Sequence, residues 1–214
     1  VLLSIKEHDF RPETQSELFR ALLEQVQRKN TQMPLRAGLD AMALWMSERH
    51  QLRCPDTVLH QFPGLKDWMA SEGLVIVDGR FLHFMHESLF DHIFAFAFMS
   101  RGKSILEFLT GSEQSLFRRT QIRQIFQEAR SLDRPWYLNN LSDLICSEKV
   151  RPHIKLAIAR WLSQVTDPTQ DEFEIILTTD NADEAFGTVI RNAFMSGPVW
   201  IPMLEDRNFI QDAL

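Results

Sequence analysis

The sequence predicts a mainly α-helical chain interrupted by a single β-hairpin. Apolar residues recur at helical spacing along nearly the whole length. Only one stretch, Leu74-Val-Ile-Val-Asp-Gly-Arg-Phe-Leu-His-Phe-Met85, holds two short apolar runs of strand length around a turn dipeptide. Proline, glycine and capping residues punctuate the chain at helix-length intervals.

Arg11-Pro12-Glu13-Thr14 opens the first helix, with proline and acid suited to its positive end. Leu18, Phe19, Leu22, Leu23 and Val26 form its apolar face, and Lys29 lies in its last turn. Pro34 starts a second helix with the stripe Leu35, Leu39, Met42, Ala43 and Met46. Cys54-Pro55-Asp56 breaks it, and Asp56 is placed to cap a short helix running to His60 or Gln61. Leu65–Ser71 makes another short helix, stopped by Gly73. The hairpin follows, with strands Leu74–Val77 and Phe81–Met85 and Asp78-Gly79 suited to a type I′ turn. Helices followed by a two-stranded ribbon give the order of a winged helix-turn-helix, over about Pro34–Met85. The ribbon needs those helices beneath it, because an isolated hairpin is marginal in water.

From Glu87 to Ser100 the period changes to 3.6, with Leu89, Phe90, Ile93, Phe94, Ala97 and Phe98 on one face. A short helix with Leu106, Phe108 and Leu109 ends at Gly111, and Ser112-Glu-Gln-Ser115 reads as a capped start to the next. Pro135 begins a helix with Leu138, Leu141, Leu144 and Ile145. Val150, Ile154, Ala157, Ile158, Trp161, Leu162 and Val165 make the cleanest amphipathic stripe, and Asp167-Pro168 opens the helix after it. A further helix with Phe186, Val189, Ile190, Ala193 and Phe194 is expected, broken at Gly197-Pro198. Val199-Trp200-Ile201-Pro202 reads as a cap closing the end of the stack before a short final helix. Paired helices joined by short turns suggest a helical repeat-like (HEAT-like) domain, although no residue identities repeat. The expected division is 1–33, a linker and first helix; 34–100, the winged-helix domain and following long helix; and 101–214, the helical domain.

The 214 residues are 44% hydrophobic and 24% charged, ordinary values for a globular protein. The longest apolar run, Ile93–Met99, is far shorter than a membrane span and ends at Arg101 and Lys103. A net charge of −6 argues against generic attraction to nucleic acid or anionic membrane. Cys54 and Cys146 have neither CxxC spacing nor a disulfide framework, and the chain opens on Val1 with no basic-then-apolar leader. A cytoplasmic location is expected, and the start within Val-Leu-Leu-Ser-Ile reads as the cut edge of a longer protein.

His86 stands where the ribbon ends and the apolar helix begins. There a ring nitrogen is free to donate to a phosphate oxygen of a neighbouring domain. The plainer alternative is a half-buried histidine that caps its own helix.

Phe84-Met85-His86-Glu87-Ser88-Leu89-Phe90-Asp91 and the following Ile93-Phe94-Ala95-Phe96-Ala97 resemble the end of the winged-helix domain in STAND ATPases. Met85-His86-Glu87 is close to the Met-His-Asp motif of the plant resistance-protein branch, with Glu replacing Asp. Asp91-His92-Ile93-Phe94-Ala95 is a looser version of the acidic-aromatic-Ala helix in NACHT-type proteins. Helix Thr14–Lys29 likewise resembles the family's helix after the nucleotide-binding core. The resemblance covers about residues 11–100. It implies a regulatory segment in which the winged-helix histidine contacts the β-phosphate of ADP and holds the molecule closed. That role carries over to His86, with Met85, Glu87, Ser88 and Asp91 as motif context. ADP or ATP would then sit in an upstream domain, with no cofactor in this chain, and partners would be that domain and self-association or another protein.

No GxxxxGK[ST] loop is present. In Arg101-Gly102-Lys103-Ser104 the position five before Gly102 is Ala97, and the run follows a helix instead of a strand. Catalysis by this chain alone is therefore not expected. His50, His60, His83, His86 and His92 lack Cys or acidic partners at zinc-ligand spacing. Glu87-Ser88-Leu89 is no nucleophile elbow. Winged helices also read DNA, but Leu65–Glu72 carries one basic residue against two acids and the turn a single arginine, Arg80. Arg119, Arg123 and Arg130 fall on one side of their helix with Arg118 nearby, interrupted by Glu113 and Glu128, and read as a solvated face or an RNA or acidic-partner surface. A DNA-binding regulator and an α-solenoid scaffold are the alternative functions.

Overall fold

The computed structural model describes residues 14–180, of which 177–180 by backbone only, together with Phe194, Val199 and Trp200. The described chain is mainly helical with a small three-stranded antiparallel sheet. It divides into two compact units, Val1–Phe94 and Ala95–Leu214, and the division falls inside one helix.

In the first unit, α1 (Gln15–Lys29) starts at Thr14, whose hydroxyl accepts the Glu17 N–H at 3.2 Å. Gln27 Nε2 donates to the carbonyls of Asn30 and Met33, shaping the turn into α2 (Leu35–Glu48). The expected stripe of α2, Leu35, Leu39, Met42, Ala43 and Met46, is buried throughout. Gly38 lies on the same face. A Cβ there would sit 2.2 Å from Leu65 Cδ2, so any larger residue would require the buried Leu65 side chain to shift.

The segment read as a simple break is the first strand, β1 (Cys54–Pro55), followed by a 3₁₀ turn over Asp56–Leu59. Asp56 makes no side-chain cap there; its carboxylate instead pairs with Lys66 Nζ at 3.4 Å. Next come α3 (Leu65–Ser71), β2 (Val75–Asp78) and β3 (Phe81–Phe84). The sheet order is β1-β3-β2, so β3 is central: Cys54 faces Leu82, and Val75 faces Phe84. Asp78 pairs with Phe81, which puts Gly79-Arg80 at the centre of the turn in place of Asp78-Gly79. Gly79 has φ 58, and the only non-glycine with positive φ among the described residues is His50. A positive φ confined to the first central position makes the turn type II′, not the expected I′.

Helix α4 (Glu87–Met99) is buried on more than one face. Leu89, Phe90, Ile93, Phe94, Ala97 and Phe98 are buried as expected, and so are His92 and Ala95. His92 packs against Phe19 of α1 with ring centroids 5.5 Å apart.

In the second unit, α5 (Ile105–Thr110) opens with a capping box. The Ser104 hydroxyl accepts the Glu107 N–H, and Glu107 Oε2 accepts the Ser104 N–H. The remaining helices are α6 (Leu116–Leu132), α7 (Arg134–Cys146), α8 (Pro152–Ser163) and α9 (Gln170–Asp180). Ser115 precedes α6 without a side-chain cap. The expected capped start is replaced by a tertiary bridge: Gln114 donates to Lys149 O and accepts from Arg151 N, both at 2.7 Å. Asp133 caps α7 through the Trp136 N–H.

Helix α6 packs on α7 and α8, while α7 packs on α5 and α9. Phe126, Tyr137 and Trp161 meet at this junction, with centroids 5.7 to 6.4 Å apart. Such aromatic pairs contribute about 0.5–1.5 kcal/mol each beyond their buried area. Trp200 is wholly buried and donates from Nε1 to Leu162 O at 3.2 Å, while Val199 is exposed. The helix expected around Phe186–Phe194 and the final short helix lie outside the described residues, apart from the buried Phe194.

Candidate functional site

The approach to His86 is set by the hairpin. Met85 N donates to Leu74 O at 3.0 Å, extending the β2–β3 ladder by one pair before the chain turns. His86 then takes the N-cap position of α4, its carbonyl accepting the N–H groups of Leu89 and Phe90. Its side chain completes the cap: the Ser88 N–H donates to Nδ1 at 3.1 Å. Histidine is an uncommon cap, but an unprotonated ring nitrogen supplies the acceptor that Ser or Asp ordinarily brings.

This contact settles the chemistry of the neutral ring. Nδ1 must be the acceptor, so the proton resides on Nε2. His86 is exposed, and among the described residues Nε2 has no protein partner. The junction therefore presents one N–H donor to its surroundings, beside the positive end of an apolar helix. The capping alternative accounts for Nδ1, with the ring exposed instead of half-buried.

Of the neighbouring motif residues, Met85 and Glu87 are exposed, while Ser88 and Asp91 are half-buried. Ser88 contributes its backbone N–H to the cap. His83 lies on β3 with Nδ1 3.3 Å from Phe84 O. Among the described residues, no three His, Cys, Asp or Glu side chains are grouped to hold a metal ion. No helix there is long and apolar enough to cross a membrane. In the Gly-Lys-Ser run, Gly102 has φ 64 and Ser104 caps α5, so that segment is a helix-to-helix turn.

Of the cations a winged helix would turn to nucleic acid, Arg80 at the turn is exposed, while two others are engaged. Lys66, on α3, pairs with Asp56, and Arg53 lies over the Phe81 ring at 4.8 Å.

The arginines of α6 depart from the expected solvated face. Arg119 and Arg123 are exposed, but Arg118 is buried, 4.2 Å over the Phe108 ring, and donates to Gln121 Oε1. Arg130 joins an ionic cluster that the sequence did not reveal. Its Nε donates to Glu172 Oε1 at 2.6 Å and Nη2 to Oε2 at 3.2 Å, while Nη1 reaches Asp167 Oδ1 at 2.8 Å. Tyr137 donates to Glu172 Oε1 at 2.7 Å, and the Thr169 N–H donates to Oε2 at 2.9 Å. Asp167, expected to open α9, is thus used on Arg130, and Thr169 with Glu172 forms the helix start.

Burial alone would raise the Glu172 carboxyl, but the hydrogen bonds from Arg130 and Tyr137 outweigh it and hold the group below the ordinary range. Burial and the adjacent carboxylate push the Tyr137 phenol up. Arg134 donates to Thr169 Oγ1 at the same junction. This cluster binds α6, α7 and the start of α9 together. The Cys54 thiol is pushed up to about 12, chiefly by burial, which leaves it an inert core residue.

No family model, curated protein or solved structure matches this chain.

Proposed function

We propose that this chain is the regulatory part of a larger STAND or NACHT-like ATPase, coupling nucleotide state in an upstream core to conformational change. The observation that carries the reading is His86 at the strand-to-helix junction, its tautomer set by the cap so that Nε2–H is the available donor. A single fixed donor at the positive end of α4 suits the β-phosphate of ADP. The order α2-β1-α3-β2-β3, with β3 central, supports reading the first unit as a winged helix. The succession α5-α7-α9 beside α6-α8 supports a HEAT-like stack for the second.

In this mechanism the chain catalyses nothing. His86 donates to ADP and favours the closed form. Exchange for ATP removes that preference and releases the helical domain for self-association or a partner, in the cytoplasm. The effect is a population shift, and it requires His86 to bind one state better than the other.

The test separates capping from sensing. His86→Asp keeps a cap acceptor but replaces the donor with a negative charge; His86→Ala removes both. A hydrogen bond to a charged group contributes about 1.5–3 kcal/mol, so ADP should leave the full-length parent about 10- to 100-fold faster in either variant. Basal activity should rise with it. An ADP off-rate unchanged in His86→Asp sinks the proposal.

The DNA-binding alternative is weakened by the Lys66–Asp56 pair on α3. It predicts salt-sensitive binding to duplex DNA, readable by gel shift.

A further inference from the structure

We propose that the His86 cap is a protonation-sensitive latch on the first turn of α4. The Ser88 N–H can donate to Nδ1 only while that nitrogen keeps its lone pair. Protonation of the ring places a hydrogen on Nδ1, and the acceptor becomes a donor facing another donor. The same step puts a positive charge at the positive end of the helix, where it is disfavoured. One proton thus removes the cap and adds a repulsion.

The surroundings leave the ring free to respond. Its single side-chain hydrogen bond among the described residues is the one from Ser88, and the ring is exposed, so protons reach it directly. The titratable groups nearest in sequence are Glu87 and Asp91 on α4 and His83 on β3. The ring's hydrogen bond goes to the Ser88 N–H and to none of these, and His83 is turned to Phe84 O. Helix α1, packed on α4 through Phe19 and His92, brings no charged partner to the ring either. Among the described residues, the Ser88 N–H is thus the one hydrogen-bond partner whose contact with the ring depends on an unprotonated Nδ1.

The latch is a regulatory property of the junction and needs no nucleotide, so it stands or falls separately from the sensing role. If both hold, protonation of the ring would loosen the turn that orients its Nε2–H donor.

The experiment is nitrogen-15 NMR on the whole 214-residue chain, without nucleotide, across the titration of the His86 ring. Above it, the two-bond couplings should identify the tautomer with the proton on Nε2. Below it, the Ser88 amide protection factor should fall about fivefold, the Boltzmann equivalent of one lost cap. His86→Asn keeps an acceptor that does not titrate in this range, so Ser88 protection should lose its pH dependence while the fold stays intact. A neutral ring protonated on Nδ1, or Ser88 protection that ignores the ring's charge, overturns the proposal. So does an unchanged pH dependence in His86→Asn. ADP dissociation from the parent reads the sensing role on its own.

Discussion

Arg130 and Glu172 are joined by two hydrogen bonds, Nε to Oε1 at 2.6 Å and Nη2 to Oε2 at 3.2 Å, across 42 residues of chain. The pair fastens α6 to the start of α9. Glu172 has no solvent exposure and Arg130 is 16% exposed, so the carboxylate relies on Arg130, with Tyr137 and Thr169, for the solvation it lost on folding. Replacing Glu172 with Gln leaves the largely buried Arg130 with the exposed Asp167 as its remaining carboxylate and takes the buried charge from the centre of the cluster. Removing one partner of a buried pair costs about 3–5 kcal/mol. The urea midpoint should fall accordingly with little change in slope; a loss below 1 kcal/mol would mean that the cluster is not stabilising.

The same carboxylate predicts a pH dependence. Its folded pKa lies below its unfolded value of about 4.3. Its contribution is therefore complete above the unfolded value and is lost as pH falls through the depressed folded value. Stability of the native chain should drop through that window, and Glu172→Gln should flatten the drop. Parallel acid titrations of the two proteins followed by circular dichroism make the comparison.

His86 also contributes to stability. Loss of a helix N-cap costs about 0.5–2 kcal/mol, so His86→Ala should lower the unfolding free energy by that amount, and His86→Asn should restore most of it. Equal stability of all three proteins at neutral pH would show that the Ser88 contact contributes nothing.

Gly38 tests the packing of α2. Adding a methyl 2.2 Å from Leu65 Cδ2 forces a fully buried side chain to move. Overpacking costs about 1–3 kcal/mol, and the higher helix propensity of alanine returns about 1 kcal/mol. A net loss of up to about 2 kcal/mol is expected, despite the better helix former. A double-mutant cycle with Leu65→Ala should show coupling of about 0.5 kcal/mol or more; additivity would mean the contact is relieved elsewhere.

Gly79 isolates backbone conformation from packing, because a Cβ there would meet nothing within 4 Å. At φ 58 in the first central position of a II′ turn, Gly79 occupies a conformation that only glycine adopts readily, so Gly79→Ala should cost about 1 kcal/mol or more from backbone strain alone. Gly79→Asn should cost about as much, since asparagine's tolerance is for the left-handed helical region and not for this one. Thermal denaturation ranks the three, and alanine as stable as glycine would contradict the II′ geometry.

What the sequence determined by itself is the local structure. The buried stripe of α2, the short helix Leu65–Ser71, the hairpin and the aromatic face of α4 all follow from signals spanning a turn or two. His86 was legible as a junction residue for the same reason, and its capping contact reaches only two residues along the chain. Tertiary structure decided what depends on distant partners. Strand β1 is two residues long, too short to carry a period-2 pattern, and exists because β3 offers it an edge. The turn register moved by one residue because pairing of Asp78 with Phe81, and not the dipeptide alone, sets the loop. The arginines of α6 look alike in sequence, yet Arg119 and Arg123 face solvent while Arg130 meets Glu172. Helical spacing specifies which side a residue takes, but the partner that neutralises a buried charge is supplied by a helix brought alongside only in the folded chain.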